Sequence, residues 1–296
     1  MAAPAVSVVF VTYNSAGVIA AALDSVPPGI PVLVVDNASD DDTLVLCRGR
    51  GVETLVLPHN IGYGAAANLG IANSETDYVL LLNPDILLAP DCIDVLRNAA
   101  EAHPSAGLLG PSQFKHSDGV KIDHDKPVSL LVPAERTGLR LSDKVQEVDF
   151  LLGSAYFIRR KAFDAIGGFD EELFLFYEDD DFCRRLRDAG WSRVLVADAL
   201  CEHAVGQSSP VTADLVFAKN WHIAWSECYA RTKHGMPVPM FRPLLQLAFK
   251  AVLHRFSGKP MKRAKAGGAF FGRLAFLQGV RAQDRRIEKG KLLAQA

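Results

Sequence analysis

The sequence predicts an α/β domain built on a mostly parallel sheet flanked by helices, followed by a helical C-terminal extension. Three observations lead there. Short apolar runs rich in Val and Leu, at 6–12, 31–36, 54–57 and 78–82, lack polar alternation, as strands covered on both faces do. Segments with helical spacing separate them, which is the alternation of a parallel sheet. Three of the runs end in polar clusters, Tyr13-Asn14, Asp36-Asn37 and Asn83-Pro84-Asp85, at the strand ends where open α/β sheets gather ligands.

The elements follow in order. VSVVFVT at 6–12 stops at Tyr13-Asn14-Ser15, and residues 16–26 continue as a helix with Ser15 as N-cap, ended by Pro27-Pro28-Gly29. PVLVVD at 31–36 is the second strand, 37–42 a turn into a helix at 43–50, and 54–57 the third strand. Residues 59–64 form a Gly-containing loop, 65–73 a helix of small residues, and YVLLL at 78–82 the fourth strand. A further helix and strand fit 86–113, whereas 114–147 is polar and follows no regular period. FLLGSAYFIR at 150–159 resumes an apolar strand, followed by a short helix at 161–166 and a turn at 167–170. A helix at 182–189 closes at Gly190 before a strand at 193–197. Beyond 213 the chain is helical, broken at 235–239 and 257–260.

Composition narrows the class. At 296 residues, 49% hydrophobic and 22% charged, the chain has the make-up of a globular protein and not of a disordered or collagenous one. Its five cysteines, at 47, 92, 183, 201 and 228, contain no C-x-x-C, which argues against a disulfide framework or zinc cluster and for a reducing cytosol. Residues 1–14 show no secretory signal, and no apolar run reaches the roughly 20 residues that span a bilayer, so neither secretion nor membrane insertion is expected. Charge is divided along the chain. Residues 1–230 hold 17 Lys and Arg against 32 Asp and Glu, while 231–296 hold 15 against 2. A basic module on an acidic body suits an anionic partner.

Five clusters could carry chemistry. Asp36 can accept hydrogen bonds from a base or ribose, with Asn37 or Ser39 capping the next helix; the simpler use is a capped turn. Residues 60–68 contain G-x-G-x-x-A at Gly62, Gly64 and Ala67, with Asp85 about 20 residues on. A dinucleotide fold is excluded because these glycines follow the third strand, across Pro58-His59-Asn60; a tight turn or a phosphate-approaching loop fits them equally. Asp85, after the most apolar strand, can hold a hard divalent cation or cap a helix. The acids 178–181 can stabilise a helix start, with Asp181 pairing Arg185, or one can serve as a base whose pKa like charges raise. His203 is either a structural histidine or the imidazole that completes a cation site with Asp85.

Taken in order, VSVVFVTYN at 6–14, VVDNASDD at 34–41, NIGYGAAANLG at 60–70, LLLNPD at 80–85, FLLGSAYFIRR at 150–160, GGFDEELFLFYEDDDFCRRLRDAGW at 167–191 and His203 resemble the family 2 inverting glycosyltransferases of GT-A, Rossmann-like fold, especially their bacterial rhamnosyltransferase-like branch. The resemblance covers about 1–210. It implies a GT-A domain over 1–210, with a nucleotide-sugar half near 1–113 and an acceptor half near 114–210, and a basic helical extension over 211–296. It implies that Thr12, Tyr13, Asn14, Asp36 and Asn37 line a nucleotide pocket, with Gly62, Gly64 and Asn68 beside the diphosphate and sugar. Asn83-Pro84-Asp85 stands where the family has its D-x-D-like triplet, making Asp85, with His203, the ligand of Mg²⁺ or Mn²⁺; Asn83 brings one charge fewer. Asp179 is the implied base with Glu178 as its alternative, and Gly153 and Ser154 fall near the acceptor.

The implied reaction moves a sugar, rhamnose from its dTDP donor, to a hydroxyl of a lipid-linked or polysaccharide acceptor in cell-envelope synthesis, at the cytoplasmic face of the membrane. A sugar nucleotidyltransferase would need a Gly-rich, basic loop after the first strand, where Tyr13-Asn14-Ser15 stands. A catalytically silent nucleotide-sugar scaffold would keep Asp36 and Asp85 without an inward carboxylate at 178–179. The basic tail, with FRPLLQLAFKAVLHR at 241–255 and AFFGRLAFLQGVR at 269–281, has the spacing of helices lying on an anionic membrane; packing on the acidic body or in a homodimer is the competing use. Nucleic acid is not expected, because the aromatics lack the look of a stacking platform.

Overall fold

The computed structural model describes residues 6–115, 131, 144–204, 212–256, 258–288 and 291–292. These divide into two compact units, one drawn from 1–59, 66–169 and 179–209, the other from 60–65, 170–178 and 210–296. The expected break at 113/114 falls inside a strand of the first unit, and the break at 210/211 lies outside the described residues, as does most of 114–147.

The first unit is a nine-stranded sheet. Its strands are β1 (Val6–Thr12), β2 (Val32–Asp36), β3 (Glu53–Val56), β4 (Tyr78–Leu82), β5 (Ile86–Leu88), β6 (Ala106–Lys115), β7 (Val145–Glu147), β8 (Ala155–Arg159) and β9 (Ser192–His203). They run in the order β3-β2-β1-β4-β8-β6-β9-β5, with β7 also on β9. The strands β3-β2-β1-β4 are parallel, as the unalternated runs require. The other half is mixed: β8 runs antiparallel to both β4 and β6, and β5 antiparallel to β9.

Burial explains the runs. All seven residues of β1 and all five of β4 are buried, so each apolar side chain contributes on the order of 1.5–3 kcal/mol. The core gathers Val8, Phe10, Ile19, Val34, Leu80, Leu96 and Phe157. Helices α1 (Ile19–Asp24), α2 (Thr43–Gly49), α3 (Tyr63–Ala72), α4 (Cys92–Ala102), α5 (Arg160–Ile166) and α6 (Glu178–Asp188) accompany the sheet. The small residues of α3 serve close packing, since a Cβ on Gly70 would fall 2.5 Å from Val9 Cγ1.

Several boundaries differ from the sequence reading. Ser15 does not cap α1 with its side chain: its carbonyl accepts from Val18 and Ile19, and the helix starts one turn later. Neither Asn37 nor Ser39 caps α2, whose N-cap position is Asp42. β8 begins only at Ala155, because Gly153 and Ser154 form a turn. α6 begins at Glu178, ahead of the expected 182, its acids occupying the first turn where the helix dipole favours them. β5, three residues long, is too short to show a period.

The second unit contains α7 (Ala213–Lys233), α8 (Phe241–Phe256), α9 (Pro260–Leu277) and a small hairpin of β10 (Ile287–Glu288) and β11 (Lys291–Leu292). The helix breaks fall where Gly and Pro predicted them. Phe174, Ala218, Trp221, Trp225 and Ala275 form its core. α9 rests on the backbone of α7: a Cβ on Gly268 would collide with the Phe217 carbonyl, and one on Gly272 with that of Trp221. Glu227 holds the same pair of helices by accepting from buried Arg273 at 2.5 Å.

Gly272→Ala should therefore cost about 1–3 kcal/mol through overpacking. Gly267→Ala, whose Cβ would meet only the Phe217 ring at 3.4 Å, should be close to neutral. Thermal unfolding of the two variants distinguishes these outcomes, and equal melting temperatures would refute the backbone contact.

Candidate active site

The carboxyl ends of β1 and β2 are stitched into one surface. Thr12 Oγ1 donates to Asp36 Oδ1 at 3.0 Å, and Ser39 donates its N–H to Asp36 Oδ2 at 3.0 Å and its hydroxyl to Oδ1 at 2.5 Å. Asn14, in the left-handed region at φ 52°, donates its N–H to Ser39 Oγ and accepts at Oδ1 from the Asp40 N–H. Ala38 is also left-handed, at φ 67°. Such conformations cost on the order of 1–3 kcal/mol each and persist where surroundings over-determine them. Asp36 is fully buried and its carboxylate is engaged by three local donors, so it shapes the floor beneath half-buried Tyr13 and Asn14. Asn37 is buried beside it and donates its N–H to the Thr12 carbonyl.

Strand pairing places the next cluster. The antiparallel β5–β9 register sets Ile86 opposite His203, and the Asp85 carbonyl accepts from the Ala204 N–H. Asp85 Oδ2 thereby lies 3.4 Å from His203 Nε2. Asp85 is 8% exposed, and its Oδ1 and His203 Nδ1 have no hydrogen-bond partner. A buried carboxylate oxygen left open beside an imidazole nitrogen fits a hard divalent cation that takes its remaining ligands from phosphate and water. Among the described residues no group of three or more His, Cys, Asp or Glu gathers into a complete metal cage.

The third cluster abuts this turn. The Asn83 N–H donates to the Ser154 carbonyl at 2.9 Å, continuing the β4–β8 pairing past its last strand residue. Gly153 is the neighbour of Ser154, and a Cβ there would stand 3.1 Å from Asp179 Cβ and 3.4 Å from its Oδ2. Three short steps of chain thus connect the Asp85 turn to the first turn of α6. Desolvation raises the Asp179 pKa, opposed by N–H donors of Asp180, Asp179 and Gly153. The Asp180 N–H donates to Asp179 Oδ1 at 2.9 Å. Asp181 faces away from this chemistry, fully buried and paired with Arg185 at 2.7 Å.

Other expected site residues have structural occupations. Asn68 reads the main chain of Phe169 in both directions, donating from Nδ2 at 3.0 Å and accepting at Oδ1 at 2.8 Å. Its amide is engaged by the 167–170 turn. In the second unit, Gly62 has φ 91° and a Cβ there would lie 2.5 Å from the Phe174 carbonyl oxygen. Packing against Phe174 therefore already demands glycine at 62. Gly64 is buried in the first turn of α3, and Glu178 is buried at the start of α6, directly after left-handed Phe176 and Tyr177.

Two contributors were missed. Ser154 Oγ donates to Gln113 Oε1 at 2.8 Å, so a fully buried glutamine on β6 orients Ser154. Tyr156, also fully buried, donates to the Leu151 carbonyl at 2.8 Å and shapes the turn below Gly153. Both lie in apolar strands where a single polar residue carries no periodic signal.

A parallel β3-β2-β1-β4 half joined to a mixed half and flanked by helices is the architecture of GT-A glycosyltransferases. Solved structures share the fold. Staphylococcus aureus TarS 1-349 in complex with UDP-GlcNAc aligns with TM-score 0.56 at 16% identity over 99% of this chain and 97% of that one. A mannosyltransferase from Pyrobaculum calidifontis, in complex with GDP-Man and Mn²⁺, aligns with TM-score 0.54 at 17% identity over 94% and 88%. The glycosyl transferase family 2 profile matches residues 7–167, and the chain belongs to that family. It is 32% identical over 210 residues to the N-acetylglucosaminyl-diphospho-decaprenol L-rhamnosyltransferase of Mycobacterium tuberculosis, covering 61% of this chain and 68% of that relative. The protein is a glycosyltransferase, and divalent metal ions are common in enzymes of this fold.

The raised Asp179 pKa has a consequence for stability. Relative to an unfolded carboxyl near 3.8, the folded state binds this proton more tightly. The associated stability is present below 3.8 and lost as pH rises through the folded value, so burying this carboxyl costs more at neutral pH than in acid. Asp179→Asn should therefore melt at or above the wild-type temperature at pH 7, the difference shrinking toward pH 4. Melting curves across that range check this, and a variant less stable at pH 7 than at pH 4, relative to wild type, would contradict it.

Proposed function

We propose that the protein is an inverting glycosyltransferase that carries rhamnose, from a dTDP-linked donor, to a hydroxyl of a polyprenyl-diphosphate-linked sugar during cell-envelope polysaccharide synthesis. The observation that carries the reading is the adjacency of the Asn83–Asp85 turn, the Gly153–Ser154 turn and the desolvated Asp179. Transfer needs a place for the diphosphate and a base for the acceptor on either side of one sugar. The rhamnosyl donor and the lipid-linked acceptor rest on the likeness to the mycobacterial rhamnosyltransferase.

Thr12 and Asp36 form the floor of the nucleotide pocket, with Tyr13, Asn14 and Asn37 along it. Asp85 and His203 would hold Mg²⁺ or Mn²⁺, which when bound neutralises charge on the departing nucleoside diphosphate. Asp179 takes the proton of the acceptor hydroxyl as its oxygen attacks the anomeric carbon from the side opposite the leaving diphosphate, which inverts configuration. Desolvation, by raising its pKa, makes Asp179 a stronger base than an exposed aspartate. Ser154, held by Gln113, and Gly153 lie on the acceptor side. Work on a lipid-linked acceptor places the protein at an anionic membrane surface on the cytoplasmic side, to which the basic extension over 211–296 is suited; contact between two copies is the competing use of that extension.

General-base assistance is worth about 10²–10⁴-fold. Asp179→Asn should lower turnover at least a hundredfold with little change in donor binding by calorimetry, and the acid limb of its pH–rate profile should disappear. Asp85→Asn should instead weaken donor binding and raise the Mn²⁺ concentration needed for half-maximal rate. Release of nucleoside diphosphate only with acceptor present, and a product of inverted anomeric configuration by NMR, test the reaction itself. Undiminished turnover in Asp179→Asn would remove the base assignment.

A further inference from the structure

We infer that α8 is a membrane-surface helix, which lies in the headgroup region of an anionic bilayer with the side chains of Phe241, Leu245, Phe249 and Val252 inserted. The inference builds on the proposed lipid-linked acceptor but stands on separate observations. These four residues are 76%, 57%, 69% and 57% exposed. Spaced four, four and three apart, they form one stripe along the helix, and Leu253, 50% exposed, widens it. An apolar face this contiguous on a surface helix marks an interaction site.

Charge selects the occupant. Residues 228–283 contain 11 Lys and Arg and no Asp or Glu. Arg231, Lys233, Arg273 and Arg281 are ion-paired with Glu227, Asp170 or Glu172, so the charge offered to headgroups comes from the other seven, over 242–265. Exposed Arg242 and Lys250 lie beside the stripe on α8 itself. A neutral protein partner would need no such excess, whereas anionic headgroups attract each nearby cation by about 1 kcal/mol and the acyl boundary takes the apolar side chains. The sequence pattern pointed equally at 269–281, but α9 has committed Gly268, Gly272 and Ala275 to packing within its own unit. Among the described residues, α8 carries the most exposed apolar stripe of this unit. No helix among the described residues is long and apolar enough to cross a membrane, so this contact lies along the surface.

Flotation of the full chain with vesicles of 70:30 phosphatidylcholine and phosphatidylglycerol, and with phosphatidylcholine alone, tests this. Wild type should float with the anionic vesicles and lose binding in high salt. Phe241→Ser with Phe249→Ser, at exposed positions that leave folding intact, should reduce partitioning about tenfold or more while nucleoside diphosphate release with a short-chain, water-soluble acceptor stays at wild-type level. Phe249→Trp should show blue-shifted emission quenched by brominated acyl chains. No flotation, flotation indifferent to the serine pair, or a tryptophan that remains in water would overturn the inference. A concentration-dependent dimer abolished by the serine pair, without vesicle binding, would assign the face to a second copy. Flotation in a protein inactive on lipid-linked sugars would leave α8 as described and remove the acceptor reading, and activity without flotation would do the reverse.

Discussion

The antiparallel insertion of β8 beside β4 is the constraint on which the site depends. Four parallel strands by themselves would deliver only their own termini, those of β1 to β4, to one edge. Because β8 runs back along β4, with Leu82 opposite Ala155, the turn that precedes β8 arrives where β4 ends, and the Asn83–Ser154 hydrogen bond closes the junction. Glycine at 153 then leaves room for the Asp179 side chain, which a Cβ there would crowd at 3.1 Å. One backbone pairing thus brings the Asn83–Asp85 turn, the Gly153–Ser154 turn and Asp179 together.

The same economy recurs at β5 and β9. A three-residue strand has little stability of its own, yet its register with β9 is what sets Asp85 against His203. Both polar groups are shielded from water and incompletely bonded, an arrangement that costs folding free energy. The desolvated Asp179 imposes a cost of the same kind. The strand-end surface of β1 and β2 is different: there the carboxylate of Asp36 is consumed by the chain itself, and Asn14 and Ala38 are held in left-handed conformations. One region supplies rigidity, and the other supplies unmet chemistry.

What could be read from the residues alone follows from which signals are local. β1, β2 and β4 were legible because burial on both faces leaves an unbroken apolar run, and α7 to α9 because Gly and Pro punctuate them. The direction of β8 was not legible, since an apolar strand reads alike in either sense. The caps at Ser15 and Ser39 were misread because nearby backbone and the Asp36 carboxylate compete for the same hydroxyls. Asp85, the acids 178–181 and His203 stand out locally as polar clusters, whereas the roles expected of them come from the order of the motifs along the chain. Gln113 and Tyr156 escaped because a polar residue inside a strand announces neither its partner nor its orientation. Asn68 had the right composition for a ligand contact, but its amide is used by a main chain 101 residues away.

The collision awaiting any side chain at Gly62 changes how variation at that position is to be interpreted. An alanine there would press on the Phe174 carbonyl and disturb the segment leading into Phe176 and Tyr177, before any nucleotide arrived. Loss of catalysis in such a mutant would be a folding phenotype, detectable as protease sensitivity in the absence of donor. Tolerance of substitution at 62 among natural sequences would accordingly track the bulk and path of the chain around 174, whatever sugar nucleotide those proteins consume.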